Sequence, residues 1–519
     1  MGILVLLSLL SIVISIVLFI THTHKRNNTP RGPPGPPPLP LIGNLHQLHN
    51  SSPHLCLWQL AKLHGPLMSF RLGAVQTVVV SSARIAEQIL KTHDLNFASR
   101  PLFVGPRKLS YDGLDMGFAP YGPYWREMKK LCIVHLFSAQ RVRSFRPIRE
   151  NEVAKMVRKL SEHEASGTVV NLTETLMSFT NSLICRIALG KSYGCEYEEV
   201  VVDEVLGNRR SRLQVLLNEA QALLSEFFFS DYFPPIGKWV DRVTGILSRL
   251  DKTFKELDAC YERFIYDHMD SAKSGKKDND NKEVKDIIDI LLQLLDDRSF
   301  TFDLTLDHIK AVLMNIFIAG TDPSSATIVW AMNALLKNPN VMSKVQGEVR
   351  NLFGDKDFIN EDDVESLPYL KAVVKETLRL FPPSPLLLPR VTMETCNIEG
   401  YEIQAKTIVH VNAWAIARDP ENWEEPEKFF PERFLESSME LKGNDEFKVI
   451  PFGSGRRMCP AKHMGIMNVE LSLANLIHTF DWEVAKGFDK EEMLDTQMKP
   501  GITMHKKSDL YLVAKKPTT

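Results

Sequence analysis

The run from Asp307 to Lys337 is apolar nearly all the way round a helix, and no other stretch limits the fold as much. Such a segment, roughly 45 Å long at about 1.5 Å per residue, has no face to offer water, so other elements must surround it. Yet "IFIAGTDPSSATIV", residues 316–329, places Gly320, Asp322 and Pro323 at its centre, with hydroxyls at Thr321, Ser324 and Ser325. Glycine and proline cost a helix interior about 1 and 3 kcal/mol. A carboxylate in the damaged middle of the longest core helix calls for a reason other than stability.

The remaining periodicity supplies that helix with neighbours. Helical spacing marks residues 84–93, 125–138, 171–190, 205–229, 250–272, 284–296, 341–353, 368–381 and 460–479. Alternation over 67–82, turning at Gly73-Ala74, predicts a β-hairpin, and 396–414 has the same pattern. The polar run 273–286 reads as a solvated loop. The expected class is mostly α with a minor β portion. A chain of 519 residues, 44% apolar, can bury a large core, and no Gly/Ser or Pro-rich linker divides residues 50–515. One large domain is expected. The formal charge of −2 argues against nucleic acid or an acidic partner. Cysteines at 56, 132, 185, 195, 260, 396 and 459 form no C-x-x-C pair, which suggests a reducing compartment.

The N-terminus departs from this soluble character. Ile3 to Ile20 is interrupted only by Ser8, Ser11 and Ser15, just long enough to span a bilayer. No basic residues precede it and no A-x-A site follows, so an uncleaved anchor fits better than a signal peptide. Lys25, Arg26 and Arg31 follow, which keeps the body cytoplasmic. Six prolines between Pro33 and Pro40 then form a stiff arm. The expected division is residues 1–24 as anchor, 25–45 as a basic, proline-rich hinge and 46–519 as one catalytic domain.

"PFGSGRRMCPAKHMG", residues 451–465, carries the chemistry. A phosphate loop would need a longer glycine spacing ending in Lys-Ser/Thr. A zinc site could use Cys459 and His463, but no second ligand pair is suitably spaced. A thiolate ligand for haem iron fits better. Gly453 and Gly455 allow a tight loop, and Pro460 suits the first position of a helix from Ala461 to Thr479. Cys459 would then sit at a helix N-terminus beside Arg456 and Arg457, where a thiolate is favoured.

Phe452, Gly455, Arg457 and Cys459 spell F-x-x-G-x-R-x-C, which resembles the haem-binding signature of the cytochrome P-450 superfamily. Ala461, where that family usually has glycine, resembles its plant microsomal A-type branch. The resemblance runs from the apolar N-terminus to the end of the chain. It implies the family's fold, with haem buried between a long central helix and the cysteine-loop helix. Glu376 and Arg379 of "KETLRLFPP", with Arg433 of "FFPERF", resemble the family's structural Glu-Arg-Arg network. Trp125 and Lys129 match its W-x-x-x-R propionate pair, with Lys in place of Arg, and Arg126 could share that task. Arg390 and Arg457 are the other propionate candidates by position.

"AGTDPSS" then resembles the family's A-G-x-D/E-T-T/S, where a kinked helix crosses the haem and an acid and an alcohol relay protons. Ala319 and Gly320 would leave room for oxygen. The usual threonine is Pro323, so Thr321, Ser324 or a water held by Asp322 would have to replace it. The resemblance implies a membrane-anchored monooxygenase that inserts one atom of O2 into a small hydrophobic plant metabolite. Electrons would come from NADPH through a separate reductase, and the enzyme would be a single-pass, monomeric protein of the endoplasmic reticulum. Phe103, Leu386, Leu387 and Ile502 are expected on the substrate wall. Two other readings remain open: a haem-thiolate isomerase or dehydratase needing neither O2 nor NADPH, and a haem sensor or carrier.

Overall fold

The computed structural model describes residues 32–48, 52–191, 200–202, 209–273, 285–297, 300–435, 447–499 and 501–517. The expected anchor, the part of the hinge before Gly32 and most of the polar run 273–286 lie outside the described residues. The body is mostly helical with a minor strand portion, as the periodicity predicts. The helices that line its central cavity are α1 (Pro123–Leu131), α3 (Arg212–Ser225), α4 (Leu306–Lys337), α5 (Pro368–Leu380) and α6 (Lys462–Thr479), and α2 (Leu172–Leu189) packs against α4.

The long apolar run forms α4 without interruption. Its start is fixed by Thr305, whose backbone N–H donates to His308 Nδ1 at 3.1 Å. Buried residues from Ile309 to Leu335 lie on nearly all its sides. Pro323 removes one N–H from the ladder, yet the surrounding helices hold α4 through it. Gly320 has a packing reason: a Cβ there would come within 2.7 Å of Ile184 Cδ1 on α2. Glycine lets α4 and α2 approach closely, whatever else it leaves room for. Lower down α4, Trp330 stacks on Phe381 with centroids 4.5 Å apart and donates its N–H to the Met504 carbonyl at 2.7 Å.

A four-stranded sheet stands at one side, with β1 (Leu67–Leu72), β2 (Val75–Val80), β3 (Arg390–Val391) and β4 (Ile408–Val411) in the order β1-β2-β4-β3. β1 and β2 form the expected antiparallel hairpin, turning at Gly73 with φ +56°. The second expected hairpin is only half right. Cys396–Ile398 pairs with Tyr401–Ile403, but β4 runs parallel to β2 in the other sheet. Alternation marks β4 as a strand and cannot choose its partner.

Two helical expectations also shift. The helix expected over 205–229 spans Arg212–Ser225, with Arg209–Ser211 instead paired to Val200–Val202. Arg146–Ser166, outside the segments marked above by helical spacing, is a helix of 21 residues. Its buried face includes Arg149 and Glu152, which interrupt the apolar pattern. Arg149 is held there by Glu361 and by the Val142 carbonyl at 2.8 Å.

Candidate active site

The cysteine loop is shaped by glycine. Gly455 has φ +71°, and a Cβ on it would lie 2.1 Å from the Leu90 carbonyl oxygen, so no other residue fits. The Cys459 N–H donates to the Phe452 carbonyl at 2.9 Å, closing the loop on itself. The helix that follows begins at Lys462, with Ala461 as its N-cap, so Pro460 is not its first residue as the sequence suggested. Cys459 therefore stands in the turn before α6. Burial pushes its thiol up, opposed by the Ala461 N–H and the Lys462 charge. The positive charge acting on the sulfur is thus Lys462, whereas Arg456 and Arg457 turn elsewhere.

Cys459, Phe452 and Gly453 line a cavity of about 340 Å³ that reaches across to α4. One end of it is a rail of buried and half-buried cations. Arg457 donates to the carbonyls of Ala98 (2.7 Å), Met116 (3.2 Å) and Ala119 (2.6 Å). Arg390 donates to Asp94 at 3.1 Å and to the Ser454 carbonyl at 2.9 Å. Lys129 donates to the Arg456 carbonyl. Arg100, which no local pattern singled out, donates to the Leu388 and Pro389 carbonyls at 2.7 Å each.

Trp125 does not offer its N–H to the cavity, because that group donates to the Met116 carbonyl at 3.0 Å. Its ring instead carries the Arg457 guanidinium, 4.1 Å from the centroid, and so orients that arginine. Arg126 is exposed and leaves the cavity wall to Trp125, since adjacent helical residues point about 100° apart.

These cations want an anion. Burial depresses Arg457 to about 9, with Arg390 adding to the effect, and pushes Arg100 well below its usual value, helped by Arg457 and Arg390. Arg390 and Lys129 are lowered mainly by burial too. A group with two carboxylates at one edge and an apolar body would relieve this repulsion. A free thiol on the wall of the same cavity completes the donor set for haem iron. The residues present fit a haem.

The opposite wall is α4. Ile316, Ala319, Gly320, Pro323, Ser324 and Thr327 face the cavity. Thr321 and Asp322 do not, because the helix turns them to its far side. There Asp322 pairs with His505 Nε2 at 2.7 Å and accepts from Gln221. The buried Thr321 hydroxyl finds no hydrogen-bond partner among the described residues. It borders a second space of about 10 Å³ beside Asn181, Gln214 and Gln221, about the size for one water. Sequence alone offered Thr321, Asp322 and Ser324 equally, and only Ser324 meets the main cavity.

The rest of the wall is largely apolar, including Phe118, Leu224, Val312, Leu387 and Ile502, with Gln221, Asn315, Ser384 and Thr503 as its polar points. Two expected wall residues lie off it. Phe103 packs its ring on Tyr232 with centroids 5.8 Å apart, and Leu386 joins the Met68–Phe70 side of the sheet. Behind the cavity, Arg379 on α5 grips Glu376 through Nε (2.7 Å) and Nη2 (2.8 Å). Arg433 donates to the same carboxylate at 3.2 Å, and all three are shielded from solvent.

Comparisons with known proteins agree with this geometry. The family description "Cytochrome P450" matches residues 33–513. The chain is 46% identical to cytochrome P450 71A1 of Persea americana over 513 residues, 99% of each chain. It is 43% identical to cytochrome P450 71B34 of Arabidopsis thaliana, across 98% of both. A 5-OH-xanthotoxin synthase of Pastinaca sativa is 44% identical over 483 residues, covering 92% of this chain and 91% of that one. Among solved structures, a zebra fish cytochrome P450 with abiraterone superposes with a TM-score of 0.71 at 26% identity. It covers 91% of this chain and 100% of that one.

Proposed function

The chain belongs to the cytochrome P450 family, and from that premise we propose that it is a membrane-anchored monooxygenase of plant specialised metabolism, acting on a small apolar substrate. The observation that carries this reading is one cavity bounded by a thiol, a cationic rail and the unpartnered face of α4. When bound, haem activates O2 with electrons from NADPH delivered by a reductase, so that one oxygen atom enters the substrate and the other leaves as water. Cys459 would be the iron ligand. Arg100, Lys129, Arg390 and Arg457 would hold the propionates, with Trp125 orienting Arg457. The apolar wall would exclude water from the reacting atoms. The test is turnover of a plant-metabolite panel under heavy-isotope O2, with and without NADPH and reductase. Label in an NADPH-dependent product supports a monooxygenase, while unlabelled product without NADPH would replace it with an isomerase or dehydratase.

The facing of Ser324 supports it as the hydroxyl that passes a proton toward the reacting oxygen. Thr321 and Asp322 would act behind it, on the far side of α4. Ser324→Ala should lower product per NADPH on the order of a hundredfold, with the electrons appearing as hydrogen peroxide, while Thr321→Ala has a smaller effect. Equal losses in both variants would remove Ser324 from that role.

Exposed apolar residues support contact with a bilayer. Leu41, Ile236, Trp239 and Val243 are each at least 60% exposed. They share one face, because the Gly73 N–H donates to the Ile42 carbonyl and the Ala74 N–H to the Tyr232 carbonyl. That face adjoins the described start of the chain, which is where the apolar N-terminal run would lead into the membrane. Endoplasmic-reticulum residence, a single span and a monomeric state belong to the same proposal. Lacking residues 1–24, the protein should still bind neutral vesicles. Changing Ile236, Trp239 and Val243 together to serine should weaken that binding on the order of tenfold or more, and unchanged flotation would rule the face out. On the cysteine face, exposed Lys130 and Arg456 support electrostatic docking of the reductase.

A further inference from the structure

We propose that Asp94 is a positioning residue of the haem site, clamping the cysteine loop to the propionate-binding rail and setting the reduction potential of the iron. The proposal rests on the haem reading of the cavity. Asp94 lies in the turn after Gln88–Thr92, far in sequence from the cysteine loop, and its side chain is almost fully buried. One carboxylate oxygen accepts from Arg390 Nη1 at 3.1 Å. The other accepts from both the backbone N–H and the Nη1 of Arg456, each at 2.9 Å. Arg456 lies three residues before Cys459, so this carboxylate holds the loop by its main chain as well as by a side chain.

The same contact explains Gly455. A Cβ there would meet the Leu90 carbonyl at 2.1 Å and Asp94 Oδ1 at 2.7 Å, so the loop lies directly against this turn. Arg390 completes the clamp by donating to the Ser454 carbonyl at 2.9 Å. Three loop residues in sequence, Ser454, Gly455 and Arg456, are thus fixed by Asp94, by Leu90 and by the arginine that Asp94 holds.

Charge gives the clamp a second consequence. Arg100, Lys129, Arg390, Arg456 and Arg457 crowd this end of the protein, and Asp94 and Asp115 act on them as carboxylates. Five cations against two carboxylates leave three positive charges, which two propionates would reduce to one. Removing the Asp94 charge makes the surroundings of the iron more positive. A more positive field favours the reduced iron, which carries one charge fewer, and raises its potential. Losing the carboxylate also loosens Arg390 and the loop, so haem should leave faster even though the field for its propionates has improved.

The experiment uses the full chain with haem in detergent, and compares Asp94→Asn and Asp94→Glu with wild type. Glu162→Gln, an exposed carboxylate outside the cluster, serves as the control. The readouts are the midpoint potential of the iron, followed by absorption, and the rate of haem loss to apomyoglobin. Asp94→Asn should have a more positive midpoint and lose haem on the order of tenfold faster, as expected for a buried charge-assisted contact. Asp94→Glu keeps the charge but not the reach, so its midpoint should stay near wild type while its haem loss quickens. A wild-type midpoint in Asp94→Asn, or an equal shift in Glu162→Gln, overturns the proposal. If Asp94→Asn does not accumulate, unchanged haem loss in Asp94→Glu overturns it equally. A wild-type chain that takes up no haem would instead overturn the reading of the cavity on which it rests.

Discussion

Cys459→Ser should abolish NADPH-dependent product formation, with a loss well beyond the roughly hundredfold that follows removal of a metal ligand's outer partners. Burial already works against ionisation of the Cys459 thiol, and the Ala461 N–H and Lys462 oppose it. A bound iron would shift that balance to the thiolate, because metal coordination deprotonates a thiol outright. A serine hydroxyl in the same place has a far higher pKa and a harder donor atom, so iron would gain little from it. The protein should still fold, since the loop is closed by backbone contacts such as the Cys459 N–H to the Phe452 carbonyl. Haem content, the absorption of the reduced carbon-monoxide complex and product formation are the three measurements. A serine variant that kept the thiolate-type absorption and its turnover would mean that another residue holds the iron.

Glu376→Gln is the second large effect, and it acts on stability. Arg379 is fully buried and places its donors on Glu376 and on the carbonyls of Ala417, Pro426 and Lys428. Glu376 also accepts from the Phe430 N–H at 2.9 Å and from Arg433. One carboxylate thus answers two guanidiniums that stand over the same Trp423 ring, at 5.1 Å and 5.6 Å. Glutamine keeps the shape but leaves two cations without their counter-charge, at a cost of about 3–5 kcal/mol. Denaturant unfolding followed by tryptophan fluorescence, or the rate of thermal inactivation, would read this loss. Glu376→Asp, which keeps the charge, should fall between glutamine and wild type. A loss for Glu376→Gln below about 1 kcal/mol would place the network among ordinary surface pairs.

Local chemistry explains which parts of the site were legible. Cys459, the glycines beside it and Glu376 with Arg379 each lie within one short segment, where spacing alone limits the geometry. Arg100, Asp94, Gln221 and His505 were not legible, because each matters only through a partner hundreds of residues away or on another element. The family resemblance puts Phe103 and Leu386 on the wall, yet ring packing on Tyr232 and the side of a sheet claim them. By position Arg126 could share the propionate task with Lys129, yet helix rotation alone sends it to solvent.

α4 shows the same division within one element. Its apolar run determined that a long helix would be buried in a mostly helical body, because nothing but other protein can cover such a surface. The cysteine-loop motif and the family it resembles likewise determined the class of chemistry. Which side of α4 faces the haem cavity was decided only in the tertiary structure. Helical rotation separates Ser324 from Thr321 and Asp322, but the packing of α2 against Gly320 and the pull of His505 on Asp322 fix which side turns inward. A sequence records that a carboxylate and three hydroxyls are neighbours along the chain. Only the contacts of the folded helix assign one of them to the cavity and another to its far side.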